Sequence, residues 1–150
     1  MRTAALLAAA FLLAAAVWYA PEKAADLGSL LPVETLVVTR ENGTVTVTGG
    51  GLRGTGPDWA GAMEDLEASA PGTVFLKTTD RVILAEDAAD CLEAVRADER
   101  LRPAVQLFWL RGSAGPALED FAAAQESGVT VGRGGTLPVI REEDGRYRLA

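Results

Sequence analysis

A chain without histidine lacks the commonest general base, the commonest metal ligand and the usual near-neutral pH switch, and none occurs among these 150 residues. The single thiol, Cys91, has no imidazole to activate it. It shares an apolar helical face with Ala88, Leu92 and Val95, so it reads as a buried thiol and not as a nucleophile. Serine and threonine hydroxyls lack the histidine of a triad, and a Ser-Lys pair would have to use Lys23 or Lys77, the only lysines. The carboxylate pairs Glu64-Asp65, Glu86-Asp87 and Glu119-Asp120 are the remaining acid–base candidates. Sequence neighbours on a helix point in different directions, so none of these pairs is itself a dyad; they fit helix starts and solvated faces. No D-x-D-x-D-G calcium loop occurs. The expectation is a chain with no catalytic, cofactor-binding or metal-ligating residues, no cofactor, and no enzymatic activity.

Glycine-rich segments invite a phosphate-cradle reading. Gly49 to Gly56, GGGLRGTG, precedes a helix, but it lacks the Gly-Lys-Ser/Thr ending of a P-loop, and its spacing misses G-x-G-x-x-G. It is read as a flexible loop, as is Gly132-Arg133-Gly134-Gly135. Trp59, Phe108 and Trp109 lie in periodic apolar segments and are assigned to the core.

Composition narrows the partners. A formal net charge of −7, with acidic residues spread along the chain, offers no basic face for phosphates, so nucleic acid is not expected as a partner. Anionic headgroups would repel such a surface, so membrane attachment must come from apolar insertion. One cysteine precludes an internal disulfide, and an exported chain of this kind must rely on its core. Residues 1–20, MRTAALLAAAFLLAAAVWYA, supply the apolar segment. Ala14 and Ala16 form an A-x-A-like cleavage site of a signal peptide; alternatively the run stays as an anchor helix, with Trp18, Tyr19 and Lys23 at the interface. Arg2 ahead of the run places the amino terminus in the cytoplasm and the remainder outside.

The elements that must position these residues follow from turn chemistry and periodicity. Residues 21–32 are punctuated by Pro and read as a tether to a single extracytoplasmic domain over residues 33–150. Val33 to Arg40 and Thr44 to Thr48 flank Asn42-Gly43, a strong hairpin signal. Asp58 is placed to cap a helix with Trp59, Ala62, Met63 and Leu66 on one face, ended by Pro71-Gly72. Strands are expected at Thr73 to Lys77 and Arg81 to Ala85, a second helix from Asp87 to Ala97, and a central buried strand over Ala104 to Leu110. A third helix begins near Pro116 with Leu118, Phe121 and Ala122 inward, and a closing hairpin is expected around Glu142 to Gly145. The fold class is α/β (α+β): a mixed β-sheet with about three helices packed on it, preceded by the apolar N-terminal helix.

The order and wording of these pieces resemble a known family. RVILAEDAA, RADERLRP, AVQLFWL and RGSA, spread over Arg81 to Ala114, are similar to the N-terminal domain of the C-subunit lipoproteins of spore germinant receptors, the Ger(x)C type. There an apolar strand ends in an acidic turn, followed by a helix, a charged R-D-x-E-I/L-R segment, an apolar strand and R/K-G-S-A. The likeness covers roughly Val33 to Ala124 and includes a Gly-rich insertion at Gly49 to Gly56. It implies an exported subunit on the outer face of the inner spore membrane, partnered by integral membrane germinant-receptor subunits, and it brings no catalytic residues. Two departures stand out. This leader has no lipobox cysteine, since Cys91 lies deep in the domain, and family members are longer, with further domains. The expected function is therefore a non-enzymatic, membrane-associated component of spore germination that works by protein or ligand binding. The alternatives are a secreted carboxylate-dependent hydrolase and an exported ligand-binding or adhesion module unrelated to spores.

Overall fold

The computed structural model describes residues 29–125, 129–130 and 135–150; the leader, most of the tether and the glycines at 132 and 134 lie outside them. Among the described residues the strands are β1 (Leu30–Pro32), β2 (Thr35–Glu41), β3 (Thr44–Gly49), β4 (Leu52–Gly56), β5 (Thr73–Phe75), β6 (Arg81–Ala85), β7 (Gln106–Arg111), β8 (Val129–Thr130), β9 (Val139–Glu143) and β10 (Arg146–Leu149). The helices are α1 (Trp59–Ser69), α2 (Leu92–Ala97) and α3 (Leu118–Ala123). This is a mixed α+β fold.

The main sheet runs β10-β9-β7-β6-β2-β3-β4, and β8 pairs antiparallel with the start of β7. Its centre is parallel, since β2 pairs with β6, β6 with β7 and β7 with β9 in one direction. Each of those connections passes through a helical crossover, as parallel neighbours require. Antiparallel strands flank the centre: β3 and β4 on one side, β10 on the other. Both hairpin turns form where local chemistry permits positive φ, at Asn42 (49°) with Gly43 (80°) and at Asp144 (52°) with Gly145 (75°).

Helices divide the two faces of the sheet unequally. On one face α1 and α2 cover β3, β2, β6 and β7, burying Trp59, Met63, Leu66 and Val95 against Val38, Val47, Leu84 and Leu107. On the other face α3, the one described helix there, packs Leu118 and Ala122 on Val37, Ile83, Phe108, Leu110 and Ile140. The expected central strand forms, two residues later at its start and one at its end, as β7 (Gln106–Arg111), with Phe108 fully buried and Trp109 half-buried.

Some expectations need correction. The second half of GGGLRGTG is the edge strand β4, not a floppy connection. Gly50 and Gly51, at φ 58° and 78°, turn the chain back, and Gly54 then lies against α1, where a Cβ would overlap the Ala62 carbonyl oxygen and the Leu66 amide nitrogen. Glycine is there so that a helix can lie on a strand at backbone distance. The end of the tether, Leu30–Pro32, is a strand paired with β5. The strand from Thr73 stops at Phe75 and becomes a 3₁₀ turn over Leu76–Thr78, whose Thr78 hydroxyl accepts from the Val33 amide and donates to the Phe75 carbonyl. The second helix is a 3₁₀ segment, Glu86–Cys91, continued by α2.

Candidate functional site

The carboxyl ends of parallel strands are where open α/β sheets hold ligands, because loops there diverge to opposite faces. Here β6 leads to Glu86-Asp87 and the helices of one face, whereas β7 leads through Gly112 to Ala114 to α3 on the other. Beside that divergence lies a cleft of about 440 Å³. Strand register explains its floor. Thr39, Thr46 and Thr55 form one row across β2, β3 and β4, and Val37, Thr48 and Arg53 form the next; Thr39, Thr46, Thr48 and Arg53 line the cleft, while the Thr55 hydroxyl donates to Asp65 at 3.3 Å. In each strand the residues between them, such as Val38, Val47 and Gly54, face the helices and are buried, so the threonines must face away. α3 packs on β6, β7 and β9, with Val37 as its contact on β2, so the threonine rows stay open.

The rim carries charge. Asp87 accepts a hydrogen bond from the Arg40 amide at 3.2 Å, and the Arg40 guanidinium donates to Asp90 at 2.5 Å and to the Gly43 carbonyl at 3.0 Å. Arg53 extends from the floor with no ion pair among the described residues. On the far rim the Tyr147 hydroxyl accepts from the Gly115 amide at 2.6 Å and donates to the Ser113 carbonyl at 2.8 Å, fixing the loop that follows β7. The arrangement offers hydroxyl donors and acceptors, one unpaired guanidinium and exposed backbone, which suits recognition of a polar surface.

No family model matches the chain, and no curated protein or solved structure matches it.

The residues singled out for chemistry are held apart. Cys91 is buried, and that burial, with Asp90 beside it, pushes its thiol above the ordinary value. Lys77 is exposed and donates to the Glu99 carbonyl. Asp65 accepts from the Thr55 amide at 2.8 Å, Glu86 pairs with Arg111 at 2.7 Å, and Asp87 serves the Arg40 amide. Burial and the adjacent Asp120 raise the Glu119 carboxyl. Among the described residues no group of acidic or cysteine side chains is arranged to hold a metal ion. No described helix is long and apolar enough to cross a membrane.

Two groupings were missed. Asp65 and Ser69 of α1 reach around β4 and bond its outer backbone groups, the Thr55 amide and the Arg53 carbonyl, so this sheet edge is closed to strand addition. The RADER segment is a clasp. The Asp98 side chain, 8% exposed, accepts from the Trp59 indole at 2.8 Å and from Arg100 Nε and a terminal nitrogen at 2.9 and 2.7 Å, while Arg100 also bonds Glu67 of α1 at 2.7 Å. Burial alone would raise the Asp98 carboxyl, but the Arg100 and Trp59 hydrogen bonds outweigh it and leave it below the usual carboxylate range.

Proposed function

We propose that this chain is a non-enzymatic, membrane-associated spore germination component of the germinant-receptor C-subunit type. In this reading the apolar segment over residues 1–20 forms a helix that tethers the domain outside the membrane, and the domain acts by binding protein or ligand at the threonine-floored cleft. The observation that carries the binding role is the open half-face of the sheet: two rows of polar side chains, Thr39-Thr46 and Thr48-Arg53, that no other described element covers. The germination assignment rests on the family resemblance over Val33 to Ala124. It is supported by the element order, in which hairpin, glycine-bearing strand, α1, β6, α2, the Asp98 clasp and β7 ending in RGSA follow one another.

A reporter fusion followed through growth and sporulation tests this. The expected result is expression late in sporulation and recovery of the protein with the inner spore membrane. Expression confined to vegetative cells, with the protein in the culture medium, would refute the reading.

A further inference from the structure

Three arginines lie in one lateral row on the sheet face opposite α3. Arg111 of β7 is in register with Arg141 of β9, and Arg141 with Arg148 of β10. Alternation puts all three on the same face, because their neighbours Leu110 and Ile140 are buried under α3. α1 and α2 cover β3, β2, β6 and β7 on this face, and all three arginines are exposed. Arg111 pairs with Glu86 at 2.7 Å and Arg148 pairs with Glu143, but Arg141, between them, has no ion pair among the described residues. Like charges placed directly opposite across strands are destabilising, and Arg141 meets one on each side. Arg146, in the next row opposite Glu143, adds a fourth cation. In a chain of net charge −7 this is a local reversal of sign. Beside the row lies a groove of about 290 Å³ whose walls include Trp109, Ala89 and Val139.

We propose that the Arg111–Arg141–Arg148 row and the adjoining Trp109 groove dock an extended acidic segment of a partner protein. Charge complementarity selects the sign, and geometry selects a narrow occupant. The row spans two interstrand spacings, roughly 10 Å, and is flanked by Glu86, Glu143 and Asp144, which a flat anionic surface would press against like charge. An extended segment can place carboxylates over the row and keep its other side chains clear. Its carboxylates would offset the repulsion at Arg141, and an apolar neighbour would fill the groove. This docking surface lies on the opposite face from the threonine cleft and stands independently of the germination assignment.

The test uses the full chain in detergent and a fluorescein-labelled peptide of alternating glutamate and serine, whose carboxylates share one side when extended. The expected result is salt-sensitive binding that is weakened tenfold or more in Arg141→Glu and clearly reduced in Arg141→Gln. The midpoint of thermal unfolding in Arg141→Glu should meanwhile equal or exceed that of the wild type, because the new carboxylate relieves the repulsion. A residue with only a structural role would show the opposite pattern, a lower midpoint. Arg53→Glu, on the other face, should bind the peptide normally. The proposal is overturned if the Arg141 variants bind as well as wild type, if a glutamine-serine peptide binds equally, or if Arg141 matters only for vesicles of anionic phospholipid.

Discussion

Removing the Asp98 carboxylate should unlock α1 from the segment that follows α2. In Asp98→Ala the Trp59 indole N–H, in a residue only 3% exposed, loses its acceptor, a loss of about 1–3 kcal/mol for a buried unsatisfied donor. The paired hydrogen bonds from Arg100, whose side chain is 43% exposed, are screened by water and add roughly 0.5–1 kcal/mol. The sum, about 1.5–4 kcal/mol, corresponds to a fall in thermal midpoint on the order of 10 °C for a domain of this size. Urea unfolding followed by Trp fluorescence measures it. The pH dependence gives a second reading. Because the folded-state carboxyl lies below its ordinary value, its contribution is fully present above the unfolded value of about 3.9 and is lost as pH falls through the folded value. The gap between wild type and Asp98→Asn should therefore be constant near neutrality and shrink in acid. A loss under about 1 kcal/mol, or a gap independent of pH down to full protonation, would refute the clasp.

Other perturbations read other parts of the molecule. Gly54→Ala, which pushes a methyl into the α1 backbone, should destabilise by about 3 kcal/mol or more or prevent folding, measured by circular dichroism; Gly43→Ala, with free space but φ of 80°, should cost only about 1 kcal/mol. Asp65→Ala frees the outer amide of β4, and light scattering should show concentration-dependent association absent from the wild type. Tyr147→Phe removes both hydrogen bonds to the loop after β7 and should lower stability by about 1 kcal/mol in chemical unfolding. Cys91, buried and raised in pKa, should react with a thiol reagent at the rate of global opening in the native state and fast in denaturant.

Features set by local chemistry were readable in advance. Asn42-Gly43 and the turn at Asp144-Gly145 fix their hairpins through the positive φ these residues tolerate, and Asp58 caps α1 by accepting from the Gly61 amide at 2.8 Å. Features set by distant partners were not. The glycines of β4 give a loop signal in the sequence because they answer to a helix backbone that packs on them only in the fold. Asp98 carries no local signal of its role because its partner, Trp59, is 39 residues away. The threonine floor and the arginine row each require the register of three strands, which no spacing within one segment reveals.

The proposed role of this domain is to serve germination by binding through its open sheet face. Germination kinetics of spores lacking the gene, complemented with wild type or with an Arg53→Glu variant, test it most directly. The Arg53 side chain is exposed and projects from the open face with no ion pair among the described residues, so the variant should keep the wild-type thermal midpoint. The prediction is that deletion slows the response to germinants, the wild-type copy restores it, and the folded variant does not. Full restoration by the variant, or a deletion without effect on germination, would contradict the claim.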